Sequence, residues 1–258
     1  MQEALVQVET RANIRVLKLN QPERRNALSL ELRAELIGAV EAALADSEIR
    51  ALVLTGNGGV FCAGGDLSSM RGATSHSGRE RLRRLHKLAR LLTDGGKPVV
   101  AAVEGYAYGA GLSLALLCDQ VVASETAKFC ASFTKVGLMA DLAALWSVPQ
   151  RVNAGWTRRI LMLADEVDAA TAGRIGLVDE VVPGGAALER ALELAARFAA
   201  GAPVAMAMTK HALARGPQPL LPLLDMEADL QGVLFGTEDL AEGCDAFLGK
   251  RKPVFKGR

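Results

Sequence analysis

Phe61-Cys62-Ala63-Gly64-Gly65-Asp66-Leu67 is the stretch on which the fold turns. Its small residues precede an acid able to cap a helix, leaving backbone N–H groups uncovered at the positive end of the helix dipole. Such a turn can hold an oxyanion. Gly105-Tyr106-Ala107-Tyr108-Gly109-Ala110-Gly111 repeats the arrangement ahead of a buried helix over residues 112–117. Two converging N–H groups are what an enolate oxygen requires. One such turn says little, because glycine is common in tight turns and at close packing contacts. Here each turn follows a short apolar strand, residues 51–55 and 98–103, and precedes a helix. That repetition favours an α/β core in which two helix N-termini open side by side. Neither turn fits the dinucleotide pattern G-x-G-x-x-G, since Leu114 holds the third place after Gly109 and Gly111, and no G-x-x-x-x-G-K-[ST] occurs.

Working outward, residues 5–8 and 14–19 are β-branched-rich runs joined by residues 9–13, an opening hairpin. A polar loop covers residues 20–27. Ser29 then stands before Leu30, Leu32, Leu36, Ile37, Val40 and Leu44, apolar positions at helical spacing with Ser29 as a candidate cap. Residues 66–70 read as a helix start, 71–79 as a mobile segment and 81–92 as a helix with a basic outer face. Beyond residue 154 the pattern is almost wholly helical apart from residues 177–182. The division expected is a core over residues 1–195 and a helical region over 196–258, with no low-complexity linker between them.

The 258 residues are half hydrophobic, enough for one sizeable core without disulfides. Lys and Arg total 30 against 29 Asp and Glu, a net charge of +1, so no global basic field would hold nucleic acid or an anionic membrane. Cys62, Cys118, Cys130 and Cys244 form no C-x-x-C pair and have no histidine at ligand spacing, which points to reduced packing residues and to no metal site. No leader-like or membrane-length apolar stretch is read, and a cytoplasmic location is expected.

Five segments in order resemble signatures of the enoyl-CoA hydratase/isomerase (crotonase) superfamily. They are Asn20-Gln21-Pro22-Glu23-Arg24-Arg25-Asn26-Ala27-Leu28-Ser29, residues 61–67, residues 105–119, Gly176-Leu177-Val178-Asp179-Glu180-Val181-Val182, and residues 246–255. The resemblance implies a ClpP-like spiral of β-β-α units with a helical C-terminal region that trimerises, often as a dimer of trimers. It implies an acyl-CoA thioester substrate and no cofactor beyond that CoA. Carried over residue by residue, the oxyanion donors fall on the Gly65 and Ala110 N–H groups. Ala63 falls where a backbone carbonyl meets the adenine amino group, and Arg25 where a CoA phosphate is held. Ala27, Asp66 and Leu67 lie in the same CoA-facing signatures, while Lys250 and Arg251, near Phe255, lie where an adjacent subunit reaches the CoA. The bottom-up chemistry agrees at Arg25, whose guanidinium can fork onto phosphate oxygens, though a solvated loop arginine has the same sequence signature.

The pattern also departs from the family. Its hydratases use two glutamates for acid and base work, and those positions hold Ser113 and Phe133, neither of which can act as a carboxylate. Val136-Gly137-Leu138-Met139-Ala140-Asp141 resembles instead the stretch in which the family's ring-epoxide and double-bond isomerases present an aspartate to the acyl chain. A carboxylate among Leu138, Met139, Ala140 and Leu142 would be poorly solvated and more basic than usual. The competing role for Asp141 is to cap a helix over residues 142–146. Ser113, in Gly111-Leu112-Ser113-Leu114-Ala115, approaches a nucleophile elbow, but such serines are more often packing residues, and none of His76, His86 and His211 sits in a triad context. The expected activity is isomerisation of an unsaturated acyl-CoA through Asp141. The alternatives are hydratase-like or hydrolase activity, or an acyl-CoA-binding protein without chemistry.

Overall fold

The computed structural model describes residues 3–258. The hairpin β1 (Val6–Arg11) and β2 (Ile14–Leu19) opens the chain, with Ala12 left-handed in a turn tighter than the loop expected. Helix α1 (Leu30–Ala45) follows, its first turn closed by Ser29, whose hydroxyl accepts from the Leu32 N–H at 3.1 Å. Next come β3 (Ala51–Gly56), α2 (Ser75–Asp94), β4 (Val99–Val103), β5 (Tyr106–Tyr108), α3 (Ala110–Leu116), β6 (Gln120–Ser124) and β7 (Lys128–Cys130). The remainder is α4 (Ala144–Arg151), α5 (Ala154–Arg158), β8 (Val167–Asp168), α6 (Ala169–Arg174), β9 (Glu180–Val182), α7 (Ala187–Ala199), α8 (Pro203–Ala214), α9 (Leu220–Leu234) and α10 (Glu238–Leu248).

The large sheet runs β1-β2-β3-β4-β6-β9, parallel except for the opening hairpin, and a small sheet runs β5-β7-β8. Cys62 adds an isolated parallel bridge to Ala107 beside the small sheet. Thus β3 with Cys62, β4 with β5, and β6 with β7 each place one extended segment in the large sheet and the next in a second layer. This is the repeating step of the β-β-α spiral. The central parallel strands β3 and β4 are buried on both faces, and successive residues alternate between two cores. Leu52 and Leu54 of β3 face the main core with Leu32, Leu36 and Leu88, whereas Ala51 and Val53 face Ala191 and Ala195 of α7. The two cores therefore share one sheet. Helix α7 crosses residue 195, the expected division, and packs on β3, β4 and β6.

Several local outcomes differ from the sequence pattern for identifiable reasons. Residues 66–70 make a 3-10 turn (Leu67–Met70) instead of a longer helix, because the Asp66 carboxylate closes on the Ser68 N–H and hydroxyl at 3.1 and 2.6 Å. Helix α2 starts at Ser75, inside the segment read as mobile, because Thr74 and Ser77 form a reciprocal capping box. Tyr106–Tyr108 is a strand inside the second glycine stretch, drawn into the small sheet by β7. The two-residue β8 interrupts the stretch read as helical after residue 154. No single helix among the described residues is long and apolar enough to cross a membrane.

Candidate active site

The first signature loop is built around a buried side chain. Arg25 and Asn26 are both left-handed, with φ of 51° and 55°, and Asn26 compensates with its amide. Asn26 Nδ2 donates to Asn57 O and Val60 O at 3.0 and 2.6 Å, and Oδ1 accepts from the Gln21 N–H at 2.9 Å. So anchored, the loop presents Arg25 O to the Ala63 N–H at 2.9 Å, and Leu28 donates its N–H to Gly64 O at 2.8 Å. The Arg25 side chain is exposed and Ala27 half-buried at this edge.

The two glycine turns meet. Cys62 bridges Tyr106 and Tyr108 in ladder fashion, its N–H donating to Tyr106 O at 2.9 Å and its carbonyl accepting from the Tyr108 N–H at 3.0 Å. Gly64 adopts φ 103°, and a Cβ there would stand 2.7 Å from Tyr108 O; a Cβ on Gly111 would stand 2.2 Å from Cys62 O. Only glycine permits this approach. Burial pushes the Cys62 thiol up to about 12, so it remains a neutral packing group. At the junction, neither the Gly65 nor the Ala110 N–H donates to a protein acceptor among the described residues, and Ala110 is the first residue of α3. Two free donors on adjoining turns can hold one developing oxyanion. Ala63 and Asp66 lie half-buried beside them and Leu67 is exposed, while Arg24 Nη2 reaches Asp66 Oδ2 at 3.5 Å.

Ser113, one turn into α3, is wholly buried, and its hydroxyl donates to Asp141 O at 2.9 Å and to Gly109 O at 3.4 Å. The structure thus brings Ser113 and Asp141 together through the main chain. Asp141 does not cap α4 with its side chain: the cap is Ala143, and the Asp141 carbonyl accepts from the Ala144 N–H at 3.1 Å. Leu142 and Ala143 follow it in the left-handed region, φ 48° and 58°, a costly pair for residues with a Cβ. Asp141 Oδ1 is buried without a hydrogen-bond partner. Burial raises its pKa, and the charges of Arg33, His86 and Arg81 partly oppose that rise. Phe133 is 6 % exposed within the main core, leaving no acid at its position.

The sequence pattern missed Arg33. It lies on the apolar stripe of α1, between Leu32 and Leu36, and is 6 % exposed. Nε donates to Leu28 O at 2.9 Å, and Nη2 lies 3.5 Å from where a Cβ on Gly65 would stand. Burial, with the repulsion of Arg81, lowers its pKa to about 10, so it is still cationic at neutral pH. The available signal was a charge on a buried helical face.

Lys250 and Phe255 are not drawn to these turns within the chain. Phe255 O accepts from Arg50 Nη2 at 3.3 Å, its ring lies against Gly243 of α10, and Lys250 is an exposed left-handed residue after α10. Asp239 fixes the tail by accepting from the Lys256 and Gly257 N–H groups at 2.6 and 2.8 Å.

The family model for enoyl-CoA hydratase/isomerase matches residues 9–258. Among curated proteins, the chain is 38 % identical over 256 residues to a 2,3-dehydroadipyl-CoA hydratase of Escherichia coli K12, covering 97 % of this chain and 98 % of that one. It is 34 % identical over 250 residues to a 1,2-epoxyphenylacetyl-CoA isomerase of the same organism, covering 95 % of each. Among solved structures, an enoyl-CoA hydratase from Polaromonas sp. JS666 superposes with a TM-score of 0.92 at 37 % identity, covering 97 % of this chain and 99 % of that one.

Proposed function

The chain belongs to the enoyl-CoA hydratase/isomerase family, the crotonase superfamily of acyl-CoA enzymes, and from that premise we propose that it is an isomerase moving a proton on an unsaturated acyl-CoA. The observation that carries this is Asp141: a buried, unpartnered carboxylate oxygen on strained backbone, held to the first turn of α3 by Ser113. The relatives include both hydratases and an isomerase, so the choice rests on the chain's own groups. Ser113 and Phe133 supply no carboxylate for activating water at the positions where the family's hydratases carry glutamates.

In the proposed reaction the thioester carbonyl accepts hydrogen bonds from the Gly65 and Ala110 N–H groups. The Asp141 carboxylate removes a proton from Cα of a 3-enoyl chain, and the electron pair moves onto the carbonyl oxygen as an enolate. Asp141, now protonated, returns the proton at Cγ, which leaves the double bond between Cα and Cβ. A raised pKa suits both halves of that transfer. The step uses no cofactor beyond the CoA of the substrate. Arg25 meets a CoA phosphate and the Ala63 carbonyl the adenine, with Ala27, Asp66 and Leu67 along the same edge. Lys250 and Phe255 serve the site of a neighbouring copy in a homotrimer or a dimer of trimers.

A hydratase activity is the second reading, favoured by the names of several relatives. Hydrolysis through Ser113 has less support, because its buried hydroxyl is committed to main-chain carbonyls. Incubation with a panel of 2- and 3-enoyl-CoA thioesters separates these when mass is read together with the position of the double bond, since conversion of the 3-enoyl to the 2-enoyl thioester marks isomerisation. Isomerisation leaves the mass unchanged, hydration adds water, hydrolysis frees CoA, and binding without any of them marks a silent relative.

A further inference from the structure

A cavity of about 990 Å³ lies between α1 and α2, with Leu30, Ala34, Ile37 and Leu85 among its apolar lining. Arg33 and Arg81 are two of six arginines in the same lining, with Arg71, Arg83, Arg84 and Arg90. Arg33 enters from α1, with its Nε committed to Leu28 O. Arg81 enters from α2 and donates to Ser69 O and Oγ at 3.2 and 2.8 Å. Neither guanidinium has a carboxylate within 4.0 Å among the described residues. The acid that lines the cavity, Glu80, is paired with Arg83 at 2.9 Å, and Lys87 at the rim is paired with Glu41 at 2.7 Å.

A buried cation is costly unless it is paired, and two facing cations add repulsion. Arg33 retains Nη1 and Nη2, a fork suited to a carboxylate. Asp141 does not fill this role, since no ion pair joins it to Arg33. The charge imbalance reaches the first glycine turn, where Arg33 Nη2 lies 3.5 Å from the place of a Cβ on Gly65. We infer that the acyl group of the substrate carries a carboxylate, received between Arg33 and Arg81 while the thioester lies at the glycine turns. This rests on the acyl-CoA reading above and names the class of acyl group: the mono-CoA thioester of a dicarboxylic acid.

Calorimetry with saturated thioesters tests the inference without depending on the reaction catalysed. The probes are succinyl-, glutaryl- and adipyl-CoA against butyryl-, pentanoyl- and hexanoyl-CoA, with free CoA as the baseline. At least one carboxylated thioester should bind about 10- to 100-fold more tightly than its neutral counterpart, the range of a charged hydrogen bond. Arg33→Met should remove that preference while leaving the neutral thioesters bound. Arg81→Met should reduce it without touching the Leu28 contact, so it reads the same subsite if Arg33→Met fails to fold. Equal affinity for charged and neutral thioesters, or a preference that survives both replacements, overturns the carboxylate subsite and leaves the acyl-CoA reading intact. Failure of every thioester to bind better than free CoA overturns both.

Discussion

The Ser113 hydroxyl donates to the main-chain carbonyl of Asp141 at 2.9 Å, tying the helix behind the second glycine turn to the backbone that carries the acid. On the proposed mechanism Ser113 positions the acid. Ser113→Ala should remove one of two donors to that carbonyl, the Ala144 N–H remaining, and cost about 0.5 to 1.5 kcal/mol of stability. Turnover should fall far less than on loss of the acid, with acyl-CoA affinity retained. Thermal unfolding and steady-state kinetics check both parts, and abolished turnover with an intact fold would contradict the positioning role.

The acid itself should be read by pH. Burial raises the Asp141 pKa above its ordinary 3.8, so the native state favours the protonated form. Stability is then greatest below the ordinary value and declines as pH rises through the raised one. Asp141→Asn should unfold at a higher temperature than the parent at neutral pH, with the difference vanishing as pH approaches 3.8. The acid limb of kcat/KM should lie above the same value, because the base must be ionised.

Much of this was written in the chain, and the exceptions are physical. The two glycine turns were legible because small residues are obligatory where Gly64 and Gly111 meet opposing backbone. Helix α1 was legible from apolar spacing. The strand Tyr106–Tyr108 was not, because its partner β7 comes from later in the chain and local glycines mask it. Arg33 was missed for a different reason: one charge in an apolar stripe says nothing of which atoms it meets, and its place beside Gly65 exists only once α1 docks under the first signature loop. The left-handed pair after Asp141 involves Leu142 and Ala143, residue types that do not advertise that conformation.

Arg25 tests the CoA end of the site. Its side chain is exposed, and its backbone is already committed to Ala63 and Pro22, so Arg25→Ala should keep the loop. CoA affinity should weaken by about 1.5 to 3 kcal/mol, and added salt should reproduce part of the loss. Unchanged affinity by calorimetry at low salt would make it a solvated loop residue.

Uncovered apolar surface motivates the proposed assembly. Helix α9 buries no residue within the chain, Leu221 and Phe235 are 72 % and 75 % exposed, and Phe247 of α10 is 84 % exposed. Light scattering at micromolar concentration should give a trimer or hexamer, and Leu221→Asp with Leu224→Asp should shift it toward monomer. A parent protein that is monomeric there would remove the basis for Lys250 and Phe255 acting on a neighbouring copy.

The central claim, that Asp141 moves the proton, is tested most directly by Asp141→Asn in isomerisation of a 3-enoyl-CoA, with turnover and affinity measured separately. Turnover should fall by about 10² to 10⁴, the usual contribution of a positioned general base, while acyl-CoA affinity holds because the oxyanion donors are backbone N–H groups. The parent enzyme should hydrate crotonyl-CoA far more slowly than it isomerises. An Asp141→Asn variant that isomerises at the parent rate would contradict the account.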